Sequence, residues 1–432
     1  MNLRWLVSLL IFLIIFSLGE YYISSTPPQG DELHYLITAE SIVKDHDIWL
    51  ENNYRDPGVD RHTVIGADGH EYLYHGLGAF PLTLSLPYYF LGRVGVTIAL
   101  SILGVLLFWQ IVYFVKEVTN LSKLSFLIVL VLFFSLPMAN FSFLVFPEII
   151  GALLVIINLR YFLKGKHSLL LFTSLGLMPW IHLRLLPISL ILILLWGLKF
   201  YRQNMKIYLY RMLITAFLIA GYFIFLHTIY GSFFPTRPYQ LLGIQTDTGN
   251  LGVNFVNVLI DRQYGLLTHT PLYLLLFPGF IYWYKKQPKQ LLIILGVAAI
   301  YLFPSLRYID WHGGYSPPAR YLVIILPILI PAIVFYLIRA RSLLLKIITF
   351  LLGIWGIAVF IVNLLLPPNF GFIFRDGESS YLRFFSFKLG VNIHDLSPSF
   401  YPSQSLGFTH MVWLLAFTFF CIFLFFLSRN EK

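Results

Sequence analysis

The chain has 432 residues, of which 58% are apolar and 12% charged, and carries a net charge of +10. Soluble domains run at roughly 45–50% apolar and about 25% charged, so a mean hydropathy of +0.77 excludes a water-soluble fold and a disordered chain. Cys421 is the only cysteine, which excludes a disulfide scaffold, and long unbroken apolar runs exclude the short alternating segments of an outer-membrane barrel.

The composition predicts an all-α polytopic membrane protein. A hydrocarbon core about 30 Å thick needs about 20 helical residues. In chain order, spans are predicted over 4–20, 94–115, 124–137, 146–163, 168–181, 185–199, 212–230, 266–284, 290–305, 320–338, 347–366 and 410–428. That is about 12 transmembrane helices (10–13), with both termini on one side. The first run reads as a retained helix and not a signal peptide.

Charge orients this map. The loops on the side of the termini hold 18 of the 30 basic residues and only two acids, Glu117 and Glu431, a net of +16. The opposite side is left with a net of −6. The positive-inside rule makes the first side cytoplasmic. The whole excess charge is then a topology signal and calls for no nucleic acid. The chain reads as one membrane domain, 1–432, with substantial outer segments at 20–93, 231–265 and 367–409 and a shorter one at 306–319. Cytoplasmic loops are too short for a domain, so chemistry is expected on the outer face.

The first outer segment opens with a Pro27-Pro28-Gln29-Gly30 turn, then Asp31-Glu32-Leu33-His34-Tyr35. Leu33, Leu36, Ile37, Ile42 and Val43 recur at three-to-four spacing, which predicts an amphipathic helix at the membrane interface. Asp31 falls at its N-terminus, where free N–H groups favour a carboxylate. A cap of this kind is also rigidly placed, and beside a bilayer it is a candidate general base. The following stretch, from Asp45 to His75, is dense in Asp, Glu and His. It is a candidate for a divalent cation, although no pair has a recognised zinc spacing.

Later segments add further candidates. Glu148 follows Phe146-Pro147 at the outer start of a span, where acids are costly and mark function or a helix start. Pro179-Trp-Ile-His182-Leu-Arg184 lies at an outer interface. Arg184 there either snorkels to headgroups or binds a phosphate. Arg262 sits in Asp261-Arg-Gln-Tyr264-Gly. Trp311-His312-Gly-Gly-Tyr315-Ser-Pro-Pro-Ala-Arg320 combines flexible glycines, aromatics that can stack on sugars, and an arginine. No Walker A loop, G-x-G-x-x-G segment or G-x-S-x-G elbow is present, so nothing announces nucleotide binding or a hydrolase.

These five segments, in this order over about positions 1–340, resemble the GT-C fold membrane glycosyltransferases, the group that includes protein O-mannosyltransferases and lipid A aminoarabinose transferases. The wording Gly30-Asp-Glu-Leu-His-Tyr-Leu36 is nearest a poorly characterised bacterial subset. The resemblance implies transfer of a hexose or pentose from a polyprenyl-phosphate carrier to an acceptor hydroxyl, with inversion, at the outer face of the plasma membrane. The acceptor is a protein, a glycolipid or a polysaccharide. The resemblance makes Asp31 the catalytic base and Glu32 its neighbour that positions acceptor or base. Arg184, Arg262 and Arg320 become candidate clamps for the carrier phosphate. Glu148, His182, Trp311, His312 and Tyr315 would shape the substrate site. Some relatives use a divalent cation and others need none, which leaves that requirement open. The competing readings are a lipid-linked sugar flippase or transporter, disfavoured because charges cluster at helix ends and not mid-span, and an O-antigen polymerase or ligase.

Overall fold

A computed structural model describes residues 3–56, 58–75, 77–121, 123–200, 205–243, 249–308, 310–339, 341–366, 377–400 and 406–429. The described chain is almost wholly helical. In order it runs α1 (Leu3–Ser25), α2 (Asp31–Lys44), a hairpin of β1 (Thr63–Ile65) and β2 (Glu71–Leu73), α3 (Ala79–Thr119), α4 (Lys123–Phe133), α5 (Met138–Phe141), α6 (Glu148–Lys164), α7 (Leu169–Ile181), α8 (Leu186–Phe200), α9 (Met205–Tyr230), α10 (Arg237–Leu241), α11 (Leu251–Ile260), α12 (Leu266–His269), α13 (Leu276–Lys286), α14 (Pro288–Arg307), α15 (Leu326–Leu337), α16 (Leu343–Leu365), α17 (Ser380–Leu389), α18 (Ile393–Leu396) and α19 (Phe408–Arg429).

Among the described residues, seven helical stretches are long and apolar enough to cross a membrane: α1, α3, Leu183–Phe200, α9, α14, α16 and α19. Their outer surfaces show what solvent they expect. Phe217 on α9 is 77% exposed and Phe419 on α19 is 68% exposed, which water would not tolerate over whole helix faces but lipid does. The protein is an integral membrane protein. Other expected spans are shorter or broken. The run 266–284 divides into α12, a 3₁₀ turn at Pro271–Leu275 and α13, and 320–338 into a 3₁₀ turn at Arg320–Leu322 and α15. Proline explains the breaks, since it removes an N–H donor and clashes with the preceding turn. The breaks themselves are buried inside the bundle, where neighbouring helices satisfy the freed backbone, although Phe277, Ile281 and Tyr284 of α13 are exposed; α13 packs on α15, and α15 on α3.

Helix α3 is the spine and begins earlier than its apolar run suggests. It starts at Ala79, contains Pro87, and bends at Leu91–Gly92, both non-helical. Its first part carries α2, and its long second part packs on α1 and α6. Periodicity places α2 correctly, but the buried side is mostly its polar one. Glu32, His34, Thr38 and Ser41 are buried, whereas Leu33, Ile37, Ile42 and Val43 are only half-buried. The polar groups turn inward because each finds a partner there: Glu32 meets Arg93, His34 meets Tyr54, Ser41 meets Asp47, and the Thr38 hydroxyl bonds the His34 carbonyl. Tyr35, Leu36 and Ala39 are buried beside them, and the other apolar residues stay half-buried. Of the segments expected on the outer side, 231–265 holds α10 and α11, and 367–409 holds α17 and α18, with 244–248, 367–376 and 401–405 outside the described residues.

Candidate active site

Asp31 opens α2, and the turn before it is held hard against a distant loop. Gly30 has φ +53°, and a Cβ there would lie 2.2 Å from the Tyr315 carbonyl oxygen. Only glycine permits both the left-handed backbone and the close approach. This contact sets α2 beside the loop that ends in Arg320. That loop is shaped by Gly313 at φ +89° and Ala319 at φ +55°. The Ala319 N–H is fastened to the Tyr264 carbonyl at 3.0 Å.

Arg320 is the centre of the site. Its side chain is 3% exposed. Nη1 donates to Asp31 Oδ2 at 2.7 Å and to the Gly313 carbonyl at 2.9 Å, while Nε donates to Glu148 Oε1 at 2.7 Å. The guanidinium lies over the Phe146 ring at 4.5 Å. Glu148, the first residue of α6, is as buried as Arg320 and is approached by a second guanidinium, with Arg184 Nη2 3.7 Å from the same Oε1. Arg184 stacks over Tyr321 at 4.3 Å. His182 orients it: its Nδ1 accepts from the Arg184 backbone N–H at 3.1 Å, and its Nε2 lies 3.2 Å from Nη2. Two carboxylates and two guanidiniums thus converge. Three of their atoms, Arg184 Nη1, Arg320 Nη2 and Glu148 Oε2, are buried without a hydrogen-bond partner. Buried polar atoms are normally satisfied, so two unused guanidinium donors and one unused carboxylate oxygen in one cluster are unusual.

Burial pushes the Asp31 carboxyl up, but Arg320, with His75 and His62, outweighs it and holds the group below the ordinary carboxylate range. The Asp31 side chain is still 23% exposed. Glu32 behaves in the opposite way. Burial raises it in spite of Arg93, whose Nη2 donates to Oε1 at 2.9 Å. Arg93 follows the bend in α3 and also bonds the Thr26 carbonyl at 2.7 Å, tying the end of α1 to α2. A pocket beside this pair is lined by Tyr22, Gln29, Glu32, Leu144, Phe146, Tyr315 and Pro317.

The remaining expected residues fall into two groups. Trp311 and His312 are buried beneath the loop, His312 stacked on Tyr264 at 4.9 Å; they support the backbone that presents Arg320. Arg262 lies elsewhere. It bonds the Gly377 carbonyl, sits 3.9 Å from Glu378, and its backbone N–H donates to Pro398, so it anchors the C-terminal outer segment. Asp261 beside it accepts from the N–H groups of Gln263, Tyr264 and Phe400. Two groups at the site were not singled out from sequence. Arg93 looked like the last residue of a loop, and His62 and His75 were two among many polar residues.

The solved structure of ArnT from Cupriavidus metallidurans bound to undecaprenyl phosphate superposes on this chain with a TM-score of 0.52 at 13% identity, covering 99% of this chain and 77% of that one. The chain has the GT-C fold. The apo state of the same ArnT gives a TM-score of 0.50 at 12% identity, over 99% of this chain and 76% of that one. No protein-family model matches the sequence, and no curated protein matches it. Within this GT-C fold the resemblance noted over positions 1–340 extends to the whole chain, including the C-terminal 90 residues that carry no recognisable wording.

Proposed function

We propose that this protein is an inverting glycosyltransferase that moves a monosaccharide from a polyprenyl-phosphate carrier to an acceptor hydroxyl on the outer face of the membrane. One observation carries the reading: the unused donors of Arg184 and Arg320, buried side by side next to the ionised Asp31. A phosphodiester placed on those donors has its anomeric carbon near an anionic base. The likeness to an ArnT bound to undecaprenyl phosphate supports the same lipid class.

In the reaction, Asp31 accepts the proton of the acceptor hydroxyl as its oxygen attacks the anomeric carbon. The bond from that carbon to the phosphate oxygen breaks, and the electron pair leaves on the phosphate. Arg184 and Arg320 donate hydrogen bonds to the growing charge, which is the place where fixed donors lower a barrier most. Attack opposite the leaving phosphate inverts the anomeric centre. His182 and Glu148 hold the two arginines, Glu32 and Tyr315 line the pocket for sugar or acceptor, and Trp311 and His312 hold the loop. Arg262 acts from the C-terminal segment, outside this constellation. The charge asymmetry of the loops supports cytoplasmic termini and an outward-facing site.

The test uses purified protein in nanodiscs with radiolabelled polyprenyl-phosphate hexose and pentose donors and membrane extract as the acceptor source. Wild type is expected to transfer label, and the product identifies sugar and acceptor class. Asp31→Asn is expected to lose about 10²–10⁴-fold in rate while still binding the carrier. Full transfer by the variant removes Asp31 as the base. Label crossing the bilayer without transfer assigns the protein to lipid flipping instead.

A further inference from the structure

The hairpin of the first outer segment brings two histidines to Asp31, and the transfer reaction has no use for them. His62 directly precedes β1, and His75 lies two residues beyond β2. Register places them together: Thr63 pairs with Leu73, and the Tyr74 N–H donates to the His62 carbonyl at 3.1 Å. The imidazoles then meet, His62 Nδ1 to His75 Nε2 at 2.8 Å. His75 Nε2 in turn lies 3.7 Å from Asp31 Oδ1, the oxygen that Arg320 does not hold. All three candidate donor atoms fall within 4.8 Å of one another.

We infer that Asp31, His62 and His75 form a three-ligand site for a borderline divalent metal ion, Zn²⁺ by preference, with a fourth position open to the outer face. Zinc takes nitrogen at about 2.0–2.1 Å in tetrahedral geometry, which places neighbouring donor atoms about 3.3 Å apart. The observed separations of 2.8 and 3.7 Å lie on either side of that value, so small rotations complete the site. Two imidazoles with one carboxylate select zinc-like ions over magnesium and calcium, which favour all-oxygen shells. The ligand planes are already fixed. His34 stacks on His62 at 3.8 Å and is itself held by the Tyr54 hydroxyl at 2.8 Å, and His75 is wedged edge-on between Tyr35 and Tyr74. Partners of this kind orient ligands in metal sites. The ion would pin the hairpin to the N-terminus of α2 and occupy the Asp31 oxygen left free by Arg320, so metal uptake is measured by itself, without transfer as the readout.

The experiment takes the full chain in nanodiscs, strips it with a chelator and titrates Zn²⁺, or Co²⁺ as a coloured probe. One equivalent by elemental analysis, with the visible bands of four-coordinate cobalt, is expected. His62→Ala and His75→Ala should each weaken binding at least about tenfold, since losing even an outer-shell partner costs about 10–100-fold. His70→Ala, an exposed histidine bound to Glu51, should bind as wild type does. If the site variants do not fold, zinc protection of His62 and His75 from carbethoxylation in wild type replaces them, with His70 still reacting. No stoichiometric uptake, site variants that bind as tightly as wild type, or histidines that zinc fails to protect would overturn the inference.

Discussion

Arg320→Met is the most informative single perturbation. The guanidinium makes charge-assisted bonds at 2.7 Å to each of two carboxylates, and its side chain is 3% exposed. Deleting one member of a buried ion pair costs about 3–5 kcal/mol, because the partner is left charged and dry. Glu148, 1% exposed, keeps only the longer contact to Arg184 at 3.7 Å and bears most of that penalty, whereas Asp31, 23% exposed, recovers part of its hydration. The expected loss is therefore about 3–5 kcal/mol in total and not twice that. The assay is reversible unfolding in mixed detergent–SDS micelles, followed by tryptophan fluorescence. The triple variant Arg320→Met, Asp31→Asn, Glu148→Gln separates charge from shape. With both carboxylates neutralised it should regain at least half of the loss. A triple variant as unstable as the single one, or a single variant within about 0.5 kcal/mol of wild type, the range of ordinary surface changes, refutes the view that these charges hold the site together.

Three further outcomes follow from the geometry. Arg184→Ala should weaken binding of undecaprenyl phosphate by about tenfold or more, one charge-assisted contact being worth about 1.5–3 kcal/mol, whereas Arg262→Ala should leave that affinity unchanged; equilibrium binding in nanodiscs compares them. Gly30→Ala should cost about 1–3 kcal/mol for the strained backbone and abolish transfer, because the new Cβ meets the Tyr315 carbonyl. Gly69→Ala has positive φ but open space around it and should keep transfer. Arg93→Met leaves Glu32 buried without its cation and should destabilise the fold by about 3–5 kcal/mol; adding Glu32→Gln should restore most of it, read by the same unfolding assay.

How far the sequence could be read depends on the range of the interaction concerned. The start of α2 at Asp31 was legible because a Pro-Pro-Gln-Gly turn is a local signal, but the capping role expected of Asp31 was not met: Gly30 is the N-cap, no side chain caps the helix, and the carboxylate bonds Arg320. The acid at the head of α6 was legible too. Which arginine faces them was not, since Arg320 lies 289 residues from Asp31 and local pattern says nothing at that distance. Arg184, Arg262 and Arg320 looked alike from sequence; only packing separates the pair on Glu148 from the one on Glu378. Arg93 escaped because α3 begins at Ala79, inside what reads as an outer loop, and the bend at Leu91–Gly92 is invisible in hydropathy. His62 and His75 escaped because their meeting depends on strand register and not on a fixed spacing.

The four charges around Glu148 have a bearing on turnover. Asp31 and Glu148 against Arg184 and Arg320 make a group whose opposite charges already balance before a ligand arrives. A sugar phosphodiester brings a single negative charge and two of its oxygens can meet the unused donors. After transfer, the carrier is left as a monoester with a charge of about −1.5 to −2 at neutral pH. In the proposed reaction Asp31 has taken up the acceptor's proton, and once that proton leaves, the monoester faces two anionic carboxylates with no added cation to meet the extra charge. The same arrangement that receives the donor therefore repels the spent lipid more strongly, and each completed transfer makes the carrier easier to release to the bilayer.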